Sequence, residues 1–180
     1  NDLGATWTNH VVTDPVSGMT MTHLRAVEVY ARDSVYVGGS ILDVASGGAL
    51  FKTSDAGGTW IQVQRSIGIR SSVMSIALSR HYPDYSLIIG TASKGVYKSV
   101  NYGLNWTEIN GGGTTNPMAD KNTSAVSFST AFRYAGTDSA GDFYYRSLGD
   151  TIVGWKKGTG LPGIQAVITD IHLDNVNEAQ

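Results

Sequence analysis

The chain has 180 residues, of which 41% are hydrophobic and 16% are charged, and its formal net charge at pH 7 is −2. This composition can form a packed core and excludes extensive disorder, and the weak charge does not favour nucleic acid or an anionic membrane surface as a partner. Cysteine is absent, which excludes disulfides and zinc–thiolate sites. No apolar stretch reaches the roughly 18 residues that span a bilayer.

In chain order, the first predicted element is an outer strand from Trp7 to Val12, within a segment 1–22 that also contains a linker. Three longer units follow, at 23–72, 73–123 and 124–165, and residues 166–180 supply one further inner strand. Each unit contains runs of Val, Ile, Tyr and Phe that alternate with polar residues, and Gly, Asp and Asn stand at the ends of the runs. This pattern predicts strands and turns rather than helices.

The units repeat one another. Trp7, Trp60, Trp106 and Trp155 are separated by 53, 46 and 49 residues, and such intervals are typical of four-stranded repeats of about 40–50 residues. Further columns recur in the same order. The innermost strand is predicted around Val27, Ile76, Val126 and Ile171, the next strand ends near Gly39, Thr91 and Thr137, and the third ends at Thr53, Ser99 and Ser147.

A turn pattern precedes the tryptophans. It is complete at Thr53, Asp55, Gly57, Thr59 and Trp60, and it recurs with asparagines in place of Asp and Thr at Ser99, Asn101, Gly103, Asn105 and Trp106. A shorter copy stands at Asp2, Gly4, Thr6 and Trp7, and a degraded copy keeps only Ser147 and Trp155. This pattern resembles the Asp-box (BNR-type) repeat, S/T-x-D-x-G-x-T-W, of the β-propellers found in sialidases, xyloglucanases, sortilin-like receptors and photosystem II assembly factors.

The resemblance implies an all-β propeller of four-stranded antiparallel blades, with three complete blades and partial blades at both ends of the chain. Asp in such a turn can accept backbone N–H groups, and Gly two residues later tolerates a positive φ. We therefore interpret the box as a structural lock on a hairpin, in preference to a calcium or sugar site. Because propellers need about four to eight blades to close, we expect a longer chain or another subunit to supply the remaining blades.

The resemblance also places any binding site on the face opposite the box turns. Loops on a rigid scaffold often carry function, and the polar residues of the predicted loops are Asp14, Asp43, Arg65, Arg70, Asp120, Lys121, Asp138 and Asp142. Arg146 shares a column with Lys52 and Lys98, so it is predicted to lie on the surface. No pattern predicts a metal site or a cofactor.

Three functions are compatible with these features. The leading hypothesis is a non-catalytic extracellular or cell-surface segment, of prokaryotic origin, that binds a protein or glycan ligand on its loop face. An alternative is part of a xyloglucanase-like hydrolase, with Asp43 as the weak candidate carboxylate, since such hydrolysis needs two carboxylates across a cleft. A further alternative is an assembly factor that acts through protein–protein contact, although that hypothesis expects a basic patch.

Overall fold

The computed structural model describes residues 6, 8–41, 47–63, 71–79, 85–111, 117–138, 141–149, 154–158 and 167–172. Within these ranges the chain contains strands and no helix. The strands are β1 (His23–Ala31), β2 (Ser34–Ile41), β3 (Gly47–Thr53), β4 (Ile61–Gln62), β5 (Val73–Leu78), β6 (Leu87–Thr91), β7 (Gly95–Ser99), β8 (Thr107–Glu108), β9 (Thr123–Phe128), β10 (Phe132–Thr137), β11 (Phe143–Ser147) and β12 (Lys156–Lys157).

The strands form three separate antiparallel sheets of four strands each, and each sheet uses four consecutive strands in sequence order. The first sheet contains β1 to β4, the second β5 to β8 and the third β9 to β12. The fourth strand of every sheet has only two residues and begins directly after Trp60, Trp106 or Trp155. The predicted all-β class and the four-stranded antiparallel units are confirmed.

The three described tryptophans lie in three successive apolar layers. Trp60 packs in a cluster on the outer face of the first sheet, together with Phe51 and Val12. Trp106 of the second sheet belongs to the cluster that contains Tyr36 of the first sheet, and Trp155 of the third sheet belongs to a cluster with residues of the second. Each tryptophan therefore helps to bury the face between its own sheet and the preceding part of the chain, where its large apolar area stabilises the stacking of sheets.

A second repeated feature joins the sheets at their second strands. A β-carbon at Gly38 would lie 2.5 Å from Cγ1 of Val73, the first residue of the next sheet, and a β-carbon at Gly90 would lie 2.9 Å from Cγ2 of Thr123. Gly136 likewise faces Cγ2 of Ile168. Only glycine leaves room for these side chains, because any larger residue would overlap them. One geometry therefore docks the second sheet on the first, the third sheet on the second and residues 167–172 on the third sheet.

The two end segments lie against the outer sheets. In the described part of 1–22, Thr13 pairs with Thr20 in an isolated antiparallel bridge, and Val12 packs on the first sheet. In 167–172, the Ile168 amide donates to the Thr137 carbonyl oxygen over 3.3 Å. A full strand in either segment remains a prediction, as do the limits of the units. No helix in the described residues is long and apolar enough to cross a membrane.

Candidate functional site

A polar cleft runs along the inner edge of the three sheets. Its volume is about 390 Å³, and it is bounded by the first strand of each sheet, β1, β5 and β9, together with residues 169–171. The volume falls within the range of about 300–1,000 Å³ that is usual for ligand sites. The cleft exists because three separate sheets, rather than one continuous sheet, bring their first strands side by side.

Hydrogen bonds between neighbouring sheets hold the walls of this cleft. The Val126 amide of β9 donates to Oγ of Ser75 in β5 over 3.0 Å. Oγ of Ser124 donates to the Ile168 carbonyl oxygen over 2.5 Å. Serines of the lining therefore fix the spacing between adjacent walls, and we expect the cleft to keep its width when no ligand is bound.

Charged side chains of both signs line the cleft. Arg25 and Glu28 come from β1, and Asp170 comes from the segment on the opposite side. Ser127 and Thr169 add hydroxyl groups to the lining. The site can donate hydrogen bonds to a carboxylate through the guanidinium of Arg25, and it can accept them from ammonium or amide groups.

Several of the polar loop residues singled out in the sequence make local contacts. Asp14 is fully buried, and its carboxylate accepts the Val16 amide at 3.1 Å and Oγ of Ser17 at 2.6 Å. Asp142 accepts Nζ of Lys157 at 2.6 Å, which raises the pKa of that lysine. These contacts order the loops in which the carboxylates lie.

The other loop candidates do not gather into a site in the described residues. Asp120 accepts the amide of Asn122 at 2.9 Å, and Nζ of Lys121 lies 3.8 Å from Glu108 in an exposed pair. The Asp138 amide donates to the Asn122 carbonyl oxygen at 2.9 Å. Asp43, Arg65 and Arg70 lie outside the described residues, so the predicted catalytic role of Asp43 stays a prediction. Groups of three or more His, Asp or Glu side chains that could bind a metal are not found in the described residues.

The first box turn is organised by two side chains. Oδ1 of Asp55 accepts the hydroxyl of Thr53 at 2.7 Å and the amide of Thr59 at 2.8 Å, while its Oδ2 accepts the Thr59 hydroxyl at 2.6 Å. Oγ1 of Thr53 in turn accepts the amide of Gly57 at 2.9 Å. The side-chain and backbone hydrogen bonds from Thr59, followed by the bond from Thr53, lower the pKa of Asp55 to about 2. The carboxylate is thus ionised at neutral pH, and both of its oxygens accept hydrogen bonds within the turn.

The second box turn repeats this arrangement with an amide. Oδ1 of Asn101 accepts the Ser99 hydroxyl at 3.0 Å and the Asn105 amide at 2.8 Å, and the Gly103 amide donates to Ser99 Oγ at 2.9 Å. The residue before each box glycine also has a positive φ, 56° at Ala56 and 57° at Tyr102, which the sequence pattern does not reveal. These hydrogen bonds support the interpretation of the box as a structural turn.

The remaining box residues are placed less regularly. Ser147 is exposed at the end of β11, and Nε1 of Trp155 donates to the Ile109 carbonyl oxygen of the preceding sheet rather than to its own turn. Nε1 of Trp106, by contrast, donates to the carbonyl oxygen of Gly103 within its own box. Thr6 is exposed, and Asp2, Gly4 and Trp7 lie outside the described residues.

The surface position predicted for Arg146 is wrong. Its side chain is only 8% exposed, and its guanidinium donates to the carbonyl oxygens of Ile109 at 3.2 Å and Gly111 at 3.1 Å. Arg146 therefore crosses from the third sheet to the second. Both hydrogen bonds come from one nitrogen of the guanidinium, Nη1. The alignment of Arg146 with Lys52 and Lys98 hid this difference.

Comparisons with solved structures define the fold. The structure of YCF48 bound to D1 peptide matches with a TM-score of 0.59 and 15% identity, over 85% of this chain and 46% of that chain. A GH74 enzyme of Niastella koreensis matches with a TM-score of 0.53 and 19% identity, over 81% of this chain and 27% of that one. The fold is a β-propeller.

The three sheets are accordingly propeller blades, and the chain spans less than half of the YCF48 chain and about a quarter of the GH74 enzyme. The computationally designed protein Ika4 also matches, with a TM-score of 0.53 and 13% identity, over 94% of this chain and 89% of that chain. Neither a family model nor a curated protein sequence matches the chain. The expected resemblance to Asp-box (BNR-type) propellers such as the xyloglucanases is confirmed at the level of the fold.

The cleft was not predicted from the sequence. Its residues belong to the innermost strands, where Glu28, Ser75, Ser127 and Asp170 stand next to the apolar members of the repeated column. The polar residue that alternates with the apolar ones in each of these segments is the sequence signal from which the cleft could have been predicted. The loops attract the prediction instead, because loops carry most binding residues on rigid scaffolds.

Proposed function

We propose that the chain is a non-catalytic part of a propeller that binds an extended segment of a partner protein in the inner cleft. The observation that carries this proposal is the cleft itself, whose walls come from three blades and whose lining contains Arg25, Glu28 and Asp170. Charges of both signs, set among serine and threonine hydroxyls, match the carboxylate, ammonium and amide groups of a peptide better than the neutral hydroxyls of a glycan.

The comparison with YCF48 supports this proposal, because that propeller has been solved bound to D1 peptide. Of the three functions compatible with the sequence, an assembly factor that acts through protein–protein contact is the most similar to the peptide binding of YCF48. We also propose that the protein lies outside the cell or on its surface, and that a longer chain or another subunit supplies the remaining blades.

The test is selection of peptide ligands for the 180-residue chain. Random extended peptides displayed on phage are selected on the wild type, and the enriched sequences are synthesised and titrated by calorimetry. Ser127→Trp fills the cleft, Arg25→Gln removes its guanidinium, and Lys98→Gln is a matched change outside the lining. We expect the first two variants to weaken binding by tenfold or more while Lys98→Gln binds as the wild type does. Binding that ignores Ser127→Trp and Arg25→Gln, or no enrichment at all, would overturn the proposal.

A hydrolase remains the second candidate, because Glu28 and Asp170 place two carboxylates in one cleft and GH74 enzymes share the fold. Two carboxylates across a cleft are the minimum for glycoside hydrolysis. Release of reducing ends from xyloglucan separates the candidates. The binding proposal expects none from the wild type. Hydrolysis that is lost in Glu28→Gln, Asp170→Asn or Asp43→Asn would establish the enzyme instead.

A further inference from the structure

Three tyrosines surround the ammonium group of Lys52 at the seam between the first and second blades. Nζ lies 5.7 Å from the ring centroid of Tyr30, 5.6 Å from that of Tyr36 and 5.7 Å from that of Tyr102. A cation within about 6 Å of a ring centroid is attracted by the negative face of the ring. Three rings at nearly equal distances act on the same point, which we name the tyrosine cage.

The cage is held by contacts among its own rings. Tyr30 meets Tyr102 edge-on, with centroids 5.4 Å apart, and Tyr36 at 6.5 Å. The hydroxyl of Tyr36 donates to the carbonyl oxygen of Tyr102 over 3.1 Å. Tyr102 is the residue of positive φ in the second box turn, so the turn fixes the position of its ring. These contacts among the tyrosines do not involve Lys52.

The cage combines a buried floor with an open side. Tyr36 is fully buried and Tyr102 is 48% exposed. Burial, followed by the proximity of Tyr30 and Tyr102, raises the pKa of Tyr36 to about 12, so the floor stays neutral at physiological pH. Lys52 enters from β3 on a flexible stem and is only partly buried. Its ammonium can leave for water without unfolding the blade.

We propose that the tyrosine cage is a binding site for methylated ammonium groups, and that Lys52 occupies it in the absence of ligand. A quaternary ammonium is large and weakly hydrated, so it loses less hydration than a primary ammonium and contacts more ring surface. The site is separate from the inner cleft, and the inference does not depend on the function proposed for that cleft. Its ligand class includes choline and trimethyl-lysine side chains.

The test is a titration with choline at constant ionic strength, in which the NMR resonances of the tyrosine rings report binding. Lys52→Met removes the internal competitor and keeps the apolar stem. We expect saturable binding to Lys52→Met, roughly tenfold tighter than to the wild type. The uncharged analogue 3,3-dimethylbutan-1-ol has the shape of choline without its charge and is expected not to bind. In the wild type, the ε-methylene protons of Lys52, shifted by the surrounding rings, should move toward exposed values as choline is added.

Lys98→Met is the matched control, because Lys98 occupies the equivalent position in β7 of the second blade. It should bind choline as weakly as the wild type, and adding Tyr102→Leu to Lys52→Met should abolish binding. Lys52→Gln repeats the test if Lys52→Met folds poorly by circular dichroism. The proposal is overturned if choline binds Lys52→Met no more tightly than Lys98→Met, if the uncharged analogue binds equally well, or if the wild-type Lys52 protons do not respond.

Discussion

Asp55 shows how one carboxylate organises a hairpin turn. It accepts hydrogen bonds from Thr53 and Thr59, and these bonds need no metal or external ligand. At the second box, Asn101 keeps the acceptor oxygen that receives the Asn105 amide. Because one oxygen suffices for that bond, the amide can replace the carboxylate at this position.

We therefore expect free energies of unfolding at pH 7 in the order wild type, Asp55→Asn, Asp55→Ala, from highest to lowest. The folded-state pKa of about 2 lies below the ordinary value of 3.8. A carboxyl group with a lowered folded pKa stabilises the folded state above the ordinary value, and this contribution is lost as pH falls from 3.8 toward about 2. Urea unfolding followed by tryptophan fluorescence should show the wild type approaching Asp55→Asn over that interval. A constant difference between the two proteins would contradict this account.

The hydrogen bonds of the two described box turns are local, because the serine or threonine, the Asp or Asn and the glycine all lie within a few residues of one another. The cage was not predictable, because Lys52 and Tyr102 are brought together by the docking of two blades. The prediction that Arg146 lies on the surface was wrong for the same reason. Its partners Ile109 and Gly111 lie 37 and 35 residues away, and a column of basic residues carries no information about them.

At the scale of the element, strand positions were well indicated and strand lengths were not. The third strands end at Thr53 and Ser99 as predicted, because the alternation stops there and the box turn begins. The fourth strands have only two residues each, and each pairs with only two residues of the third strand. Blade docking depends instead on glycines in the second strands. The stability of a variant at one of these glycines can therefore be compared with that of a variant at a glycine in open space.

Gly90→Ala should destabilise the protein and Gly111→Ala should not. A β-carbon at Gly90 would lie 2.9 Å from Cγ2 and 3.0 Å from the carbonyl oxygen of Thr123, whereas nothing lies within 4 Å of one at Gly111. Overpacking of this kind costs about 1–3 kcal/mol of unfolding free energy. Chemical denaturation measures both variants. Equal stabilities would show that Gly90 is not at a close inter-blade contact.

Arg146→Ala should lower the free energy of unfolding by about 1–3 kcal/mol, because it removes two hydrogen bonds between the third and second blades. Arg146→Lys should restore only part of this loss, since the lysine side chain is shorter by one bond and does not place its ammonium where Nη1 lies. Lys98→Ala, at the equivalent position of the second blade, is the control and should cost less. If Arg146→Ala were as mild as Lys98→Ala, the side chain would not bridge the two blades in solution.

At the scale of the whole molecule, one inter-blade contact recurs along the chain, and the equivalent side chain of the first sheet is exposed. Val73, Thr123 and Ile168 each stand three residues before an apolar member of the inner column and contact a glycine of the preceding blade. Leu24 stands three residues before Val27, the equivalent position, and is 53% exposed. Leu24 therefore occupies in the first sheet the position from which Val73 and Thr123 contact a glycine of the preceding blade.

In the 180-residue chain, Leu24→Ala should therefore leave stability nearly unchanged, while Val73→Ala should cost about 2 kcal/mol. Thermal or urea unfolding of the two variants provides the comparison. If a blade were fused in front of the chain, Leu24→Ala should become destabilising as well. A large loss from Leu24→Ala in the present chain would instead place that side chain in an existing core.

The sequence indicated blades and their order, because each blade is a local repeat whose strands follow one another. It did not indicate the inner cleft, because Arg25, Ser127 and Asp170 approach one another only when three blades are set around a common centre. Radial stacking of blades is thus the claim on which the cleft, the cage and the buried arginine all depend.

The most direct test is to measure nuclear Overhauser effects from the α-protons of Gly38, Gly90 and Gly136. The radial arrangement predicts contacts with the methyl groups of Val73, Thr123 and Ile168, respectively, each in the next segment of the chain. Three equivalent cross-peaks would establish one docking geometry repeated between successive blades. If these glycines showed contacts only within their own sheets, the sheets would not be stacked as propeller blades and the account would be wrong.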